Sequence, residues 1–264
     1  MKMKYLKFKN NFIEKCKTIY FISGKNPKEK FSYLYENNKI AILPLGFRCF
    51  TKQMIFNNIN IKQLSLPFDS GFFSPFSVAS VFENPVIKLD GGGHSVCLKY
   101  EYYKDENIGL GIKFQISSYE EINELALSRK DPTINILLDS TFGYYTLSLK
   151  HKFILAHYNW HRFADQRLSK GITEPKKNIK SIEDILNRRI ERMYDLINKS
   201  EYILGVYFNN QNYKYIMIDD TVYGLEDFDL LINSLNKFFP SKKVIFKAIR
   251  KPKEDFDEIF KTIV

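Results

Sequence analysis

The amino-acid sequence predicts an α/β fold, in which a mixed, partly parallel sheet is flanked by helices and follows a basic N-terminal extension. Apolar runs of strand length alternate with amphipathic helical patterns in the second half of the chain, which is typical of a parallel or mixed sheet covered by helices. The chain has 264 residues, of which 44% are hydrophobic, enough for one large domain. We therefore assign residues 1–39 to the extension and residues 40–264 to the α/β domain.

The expected elements follow from hydrophobic periodicity and from helix caps. Strands are expected at residues 40–45, 94–103, 109–116, 134–138, 152–157, 202–208, 215–218 and 244–249. Helices are expected at residues 51–59, 118–128, 181–197 and 225–239. Residues 72–82 are apolar but contain Pro75, which leaves their type open, and the polar residues 166–180 are expected to form a loop.

Lysines dominate the N-terminal extension. Residues 1–39 hold ten lysines and three glutamates, so this segment carries most of the net charge of +10. Such an arm can bind an anionic ligand, for example nucleic acid, an anionic membrane or an acidic polymer. It contains no arginine cluster and no repeated basic–aromatic unit, so we favour solvated lysines that keep the protein in solution.

Cysteine usage and the lack of targeting signals bear on the compartment. Cys16, Cys49 and Cys97 show no paired spacing, which argues against a disulfide framework or a zinc site. No apolar run approaches the roughly 18 residues of a membrane span, and the N-terminus lacks the apolar core and cleavage site of a secretory signal. The sequence therefore predicts a cytoplasmic protein without a transmembrane segment, a metal or a cofactor.

Cys49 is the main candidate for chemistry. It follows an apolar run that breaks at Gly46, at the point where a helical pattern begins. A cysteine at a strand-to-helix turn faces the positive end of the helix dipole and free backbone N–H groups, and both favour the nucleophilic thiolate. Arg48 adds to this effect. The alternative is a buried cysteine without a chemical role.

A cysteine nucleophile needs a base, and His157 is the candidate because it ends an expected strand, where side chains line the cleft of an α/β sheet. His161 is its rival. The two histidines are spaced for metal binding on a helix, but no third ligand is evident, so we expect no metal.

Charged residues elsewhere are candidates for binding substrate or completing the site. Arg188 and Arg192 share a face of the expected helix and, together with Arg48, can bind an anionic substrate. A solvated helix face is the alternative for Arg188 and Arg192. Asp69 lies in a Leu-Pro-Phe-Asp turn, where it either completes the site or bonds its own backbone.

Four short motifs occur in the order found in a known family. They are Pro44-Leu-Gly-Phe-Arg-Cys49, Leu66-Pro-Phe-Asp69, the strand-end His157 and Arg188-Arg-Ile-Glu-Arg192. The chain thereby resembles, over roughly residues 40–208, a bacterial family of unknown function described as papain-like cysteine peptidases. The family pattern runs Leu-Gly-x-x-Cys, Pro-Phe-Asp-Trp, His-Asp and Arg-Arg-x-x-Arg.

The resemblance implies that Cys49 is the nucleophile, His157 the base and Asp69 a further site residue. Ser70 stands where the family has Trp, and Tyr158 stands where it has Asp. Capsule-type acyltransferases are similar in placing a cysteine at a strand-to-helix turn.

We therefore expect a cysteine-dependent hydrolase or acyltransferase. Its substrate would be an amide, ester or thioester of a peptide-like molecule, an acylated small molecule or a polysaccharide, with the oxyanion held by backbone N–H groups near Cys49 and Phe50. Two alternatives are a capsule polysaccharide acyltransferase and a non-catalytic protein that binds an anionic polymer through the basic arm and the arginine helix.

Overall fold

The computed structural model describes residues 26–118, 121, 144–155, 175–209 and 212–263. Its helices are α1 (Pro27–Glu36), α2 (Phe50–Ile59), α3 (Pro75–Glu83), α4 (Pro175–Lys199), α5 (Phe228–Phe238) and α6 (Pro252–Ile263). Its strands are β1 (Ile40–Phe47), β2 (Gly71–Phe72), β3 (His94–Asp105), β4 (Gly109–Ser117), β5 (Tyr144–Ser148), β6 (Ile154–Leu155), β7 (Tyr202–Phe208), β8 (Tyr215–Ile218), β9 (Thr221–Gly224) and β10 (Lys243–Ile249). A 3-10 turn, Pro67–Ser70, precedes β2.

One of the two sheets is a three-stranded parallel sheet with the order β1-β7-β10. β7 is the middle strand and pairs in parallel with both neighbours, from Tyr202 to Phe208. Because all three strands run the same way, their carboxyl ends meet at one edge of the sheet. Ligands of open α/β folds bind outside this edge.

A second, seven-stranded sheet has the order β2-β6-β5-β3-β4-β8-β9. Its centre is the antiparallel β3–β4 hairpin that the sequence predicts, and β4 pairs in parallel with β8. The mixed, partly parallel α/β fold is thus confirmed. Within the described residues, no helix has the length and apolar character needed to cross a membrane.

The two faces of the parallel sheet bury different cores. Ile40 and Ile42 of β1 point to a cluster formed with α1, α2 and α6, whereas Ala41, Leu43 and Leu45 point to the larger cluster that contains α3, α4, α5 and the second sheet. This alternation is the period of two expected for a strand. Because both faces are covered, β1 is buried along its whole length, which explains its continuous apolar sequence.

Helix α1 belongs to the segment assigned to the basic extension. It begins at the Asn26 cap, whose side chain accepts a hydrogen bond from the Glu29 N–H. Phe31 is fully buried and its ring lies 5.2 Å from that of Phe260 in α6. Residues 27–36 therefore pack on the domain, while residues 1–25 lie outside the described part of the chain.

Three helices begin at prolines; two of them differ from expectation, and the third settles a segment whose type was left open. α4 starts at Pro175 rather than near Ser181, so the loop expected over 166–180 is wrong for its last six residues. α3 starts at Pro75, which directly follows the N-cap residue Ser74. α6 starts at Pro252, where no helix was expected. Proline lacks a donor that the first helical turn leaves unused, and its fixed φ suits that position.

Some expected elements lie outside the described residues. These are the strand at 134–138, the end of the strand at 152–157 and most of the helix at 118–128. The cap of that helix is described: the Glu121 N–H donates to Ser118 Oγ at 3.1 Å, and the Ser118 N–H donates to Glu121 Oε2 at 2.9 Å. The capping box is confirmed.

Candidate functional site

Cys49 lies between the carboxyl end of β1 and the start of α2, as the sequence predicts. The turn depends on Gly46, which has a φ of +134°. A Cβ atom there would lie 2.7 Å from the Phe73 carbonyl oxygen and 2.9 Å from the Tyr207 ring, so only glycine fits. The Thr51 hydroxyl donates to the carbonyl oxygens of Gly46 and Phe208 and joins the helix start to both strands.

Cys49 opens into a cavity of about 720 Å³. The cavity lies between α2, the loop that follows it, the Pro67–Ser70 turn and α4. Its described lining residues are Cys49, Lys52, Gln53, Phe56, Ile61, Lys62, Gln63, Leu64, Ser65, Asp69, Ser70 and Arg189. We call it the Cys49 cavity. Its volume lies in the range of small-molecule sites.

The half-buried Cys49 thiol is not the ready thiolate that the sequence predicts. Burial raises its pKa above the ordinary value, because the charged form loses solvation. Arg48 and the N–H groups of Cys49 and Phe50 lower the pKa, but together they do not outweigh burial and the carboxylate of Asp69. The helix start supplies the expected donors. The thiol, however, keeps its proton at neutral pH in these surroundings.

Arg48 faces aromatic rings rather than the Cys49 cavity. Its guanidinium lies 4.7 Å from the centre of the Phe72 ring and 5.5 Å from that of Phe50. Cation–π contacts of this kind hold the side chain beside the turn. Arg48 therefore acts on Cys49 through its charge, and its predicted contact with substrate stays a prediction.

Asp69 lines the Cys49 cavity and also bonds its own backbone. Its Oδ2 accepts a hydrogen bond from the Leu66 N–H at 2.9 Å and lies 3.0 Å from Lys52 Nζ. No donor within the described residues reaches its Oδ1. Burial raises the pKa of Asp69, even though Lys52, the Leu66 amide and Arg189 oppose this. Asp69 thus ties the Pro67–Ser70 turn to α2 next to Cys49.

The arginines of α4 divide between two surfaces. Arg189 is buried, lines the Cys49 cavity and donates from Nη1 to Ser70 Oγ at 2.6 Å. Arg192 is exposed and donates to the Ser65 carbonyl oxygen at 2.7 Å, at the rim of the cavity. Arg188 lies on another surface, beside Asp184 and Glu191. The structure therefore brings Arg192, but not Arg188, to the cavity.

Arg189 was not among the predicted substrate-binding residues, although a signal for its burial was present. The buried stripe of α4 includes Ile182, Leu186 and Met193, and Arg189 falls between them at helical spacing. A charged residue on an apolar stripe is the informative exception, since buried charges need partners. Ser70, its partner across 119 residues, gave no local signal.

Lys52 and Gln63 were not predicted as site residues either. Lys52 reaches both Asp69 and, at 3.2 Å, Ser65 Oγ. Gln63 Nε2 donates to the Ile42 carbonyl oxygen at 3.0 Å, which fixes the loop after α2 against β1. These contacts join residues that are far apart in the chain, so local patterns do not reveal them.

The histidines predicted as bases, His157 and His161, lie outside the described residues. The two described histidines have other partners. His94 Nδ1 lies 2.6 Å from the Leu89 carbonyl oxygen, and the buried His151 lies 2.9 Å from Ser80 Oγ and stacks on Phe153. Neither lines the Cys49 cavity.

In the described part of the chain, no three histidine, cysteine, aspartate or glutamate residues form a group able to hold a metal ion.

Comparison with protein-family models, with curated proteins and with solved structures gave no match to the chain.

Proposed function

We propose that the protein is a cysteine-dependent hydrolase or acyltransferase whose nucleophile is Cys49. One observation carries the proposal. A half-buried thiol stands at the start of α2, beyond the carboxyl end of a buried parallel strand, and lines a cavity of about 720 Å³. The thiol thus combines a position at the carboxyl end of a parallel strand, backbone N–H donors at a helix start and space for a ligand.

The proposed reaction forms and breaks one thioester. Cys49 Sγ attacks the carbonyl carbon of an amide, ester or thioester, and the thiol proton passes to a base. Negative charge on the carbonyl oxygen is stabilised by the N–H groups of Cys49 and Phe50. The leaving amine, alcohol or thiol departs with a proton. Water or an acceptor hydroxyl, such as that of a sugar, then attacks the thioester and restores the thiol.

The raised pKa of Cys49 makes the base essential to this proposal. A thiol that keeps its proton at neutral pH attacks slowly, since the thiolate is the nucleophile. We assign the base to His157, on the resemblance described above. Asp69 is assigned to the site because it lines the cavity and holds Lys52 beside Cys49.

A second candidate function is non-catalytic binding of an anionic polymer. The observation that favours it is the charge of the Cys49 cavity, whose described lining holds Lys52, Lys62 and Arg189 but a single acidic residue, Asp69. The basic arm and the cationic side chains of the cavity would then provide the binding surface.

Three substrates with one acyl group and three leaving groups test the first proposal: p-nitrophenyl butyrate, butyryl p-nitroanilide and S-butyryl-N-acetylcysteamine. Turnover of at least one is expected, and Cys49→Ala should lower it by about 10³-fold or more. Cys97→Ala is the matched control, because Cys97 is fully buried in β3 and its thiol donates to the Tyr145 carbonyl oxygen. It should keep the wild-type rate.

Full activity of Cys49→Ala would contradict the nucleophile assignment. Absence of turnover, combined with retention on heparin that falls as salt rises, would favour the anionic-polymer binding protein instead.

A further inference from the structure

We infer that the substrate of the Cys49 cavity is an amphipathic acyl compound with an anionic group, which is held at the rim by Lys62 and Arg192. The inference rests on the proposed function and adds the chemical class of its substrate. It follows from the charges of the cavity, from their partners and from the apolar side chains beside them.

The described lining of the cavity is cationic. Lys52, Lys62 and Arg189 carry positive charge, and Asp69 is the one acidic residue among the described lining residues. Lys52 lies 3.0 Å from that carboxylate, and Arg189 donates to the Ser70 hydroxyl. One carboxylate therefore stands against three cations, which leaves a positive potential in the cavity.

The charges that are not neutralised lie at the rim. Lys62 is exposed, and no described carboxylate lies within ion-pair distance of it. Arg192 has a neutral partner, the Ser65 carbonyl oxygen at 2.7 Å, which leaves its charge uncompensated by any described acidic group. Lys62 lines the cavity, and Arg192 contacts Ser65, which also lines it. Both cations are therefore placed to bind an anion at the cavity.

Apolar side chains occupy the same opening. Phe56 and Leu64 line the cavity, yet these residues are 40% and 71% exposed. Ile61 lies between them in the chain and also lines the cavity. Apolar residues that line a cavity and yet stay accessible to solvent indicate a ligand with an apolar part. An acyl chain satisfies these contacts while its anionic group meets Lys62 and Arg192.

Two alkylating reagents of similar size test the inference on the full-length protein. Iodoacetate carries an anionic group and iodoacetamide does not, and the rate of Cys49 modification by each is followed by peptide mapping and divided by the rate with glutathione. We expect the normalised ratio to favour iodoacetate by about fivefold at low salt, on the scale of one partly screened charge pair. The preference should disappear at high salt.

Charge-neutralising variants localise the effect. Lys62→Gln and Arg192→Gln should each reduce the preference by about half or more. Lys104→Gln, which changes an exposed lysine of the β3–β4 hairpin, should leave it unchanged. Equal normalised rates in the wild type, or a preference that Lys62→Gln and Arg192→Gln leave intact, would overturn the anionic substrate while the nucleophile assignment stands. A Cys49 that neither reagent modifies would overturn the proposed function and this inference with it.

Protection of Cys49 from iodoacetamide identifies the anion. Octanoate and octyl phosphate carry the same chain with different charged groups, and 1-octanol is the uncharged control. Stronger protection by octanoate assigns a carboxylate, and stronger protection by octyl phosphate assigns a phosphate. Protection by 1-octanol that equals both would overturn the anionic part of the inference.

Discussion

Helix α4 contributes to two clusters that each hold a buried carboxylate, and the two carboxylates differ in how many of their oxygens accept hydrogen bonds. At one, Glu183 of α4 accepts hydrogen bonds at Oε2 from the N–H groups of Leu89 and Asp90, at 2.8 and 3.1 Å. Its Oε1 accepts from Lys180 at 2.9 Å. At the other, Arg189 of α4 lies beside Asp69, one oxygen of which has no donor within the described residues.

The pKa values of the two carboxyl groups shift in opposite directions. Burial alone would raise the pKa of Glu183, but hydrogen bonds from Lys180 and from the Leu89 and Asp90 amides outweigh it and bring the pKa to about 2. For Asp69 burial prevails and the pKa is raised. A satisfied cluster of this kind stabilises the fold, whereas an incompletely satisfied one in a cavity is characteristic of functional sites.

Glu183→Gln should give the largest change in stability. The native carboxylate has a lowered pKa, so its contribution is present above the ordinary value of 4.5 and is lost as pH falls toward about 2. Replacement by the uncharged amide should lower the free energy of unfolding by about 2 kcal/mol at pH 7. Urea denaturation at pH 7 and at pH 3 measures this difference, which should narrow at pH 3.

Glu106→Gln is the control, because Glu106 is exposed in the β3–β4 hairpin. Its free energy of unfolding should match the wild type at both pH values. A Glu183→Gln variant as stable as Glu106→Gln would show that the Glu183 cluster contributes nothing to stability.

Asp69→Asn should change stability less, by about 1 kcal/mol or below at pH 7. The native carboxyl group has a raised pKa, so the folded state holds its proton above the ordinary value of 3.8 and loses stability as pH rises through that range. The amide removes this pH dependence. Because the raised pKa already includes the opposing ion pair with Lys52, the net change in the free energy of unfolding is small. The same urea measurements, made at several pH values from 3 to 7, test this: the contribution of Asp69 to the free energy of unfolding should fall as pH rises, whereas that of Glu183 should grow. A loss as large as that of Glu183→Gln would show that both clusters are structural.

The smallest effect concerns the pH dependence of Cys49 alkylation. The described surroundings raise the pKa of this thiol. An alkylation midpoint below the ordinary pKa of cysteine would therefore require a further cation near Cys49. If His157 is the base, His157→Gln should move the alkylation midpoint upward by about one pH unit or more, because the imidazolium that favours the thiolate is removed. His161→Gln is the matched control and should leave the midpoint in place.

A shift with His161→Gln alone would assign the base to His161. If neither variant moves the midpoint, Cys49 has no histidine partner and the anionic-polymer binding protein becomes the better account.

The parts of the fold that local patterns specify were predictable. An apolar run ending at Gly46 and followed by helical periodicity located Cys49 correctly at the β1–α2 turn. The β3–β4 hairpin consists of two strands joined by a short polar loop, and it too was predicted. In both cases neighbours in sequence are neighbours in space, so periodicity and turn chemistry carry the information.

The contacts that complete the site were not predictable in this way. β1 pairs with β7, about 160 residues further along the chain, and Ser70 meets Arg189 across 119 residues. Local sequence states that each partner is apolar, polar or charged, but not which distant residue it will meet. The pKa of Cys49 shows the same limit, because the helix start was visible in the sequence and the extent of burial was not.

The most direct test of the account is rapid quenching of the wild-type protein with p-nitrophenyl butyrate, followed by intact-protein mass spectrometry and peptide mapping. The account predicts one butyryl group per chain, bound to Cys49 and lost on a timescale that matches turnover. The adduct should be absent from Cys49→Ala and present in Cys97→Ala. Turnover without any adduct on Cys49, or an adduct that persists in Cys49→Ala, would contradict the assignment of Cys49 as the nucleophile.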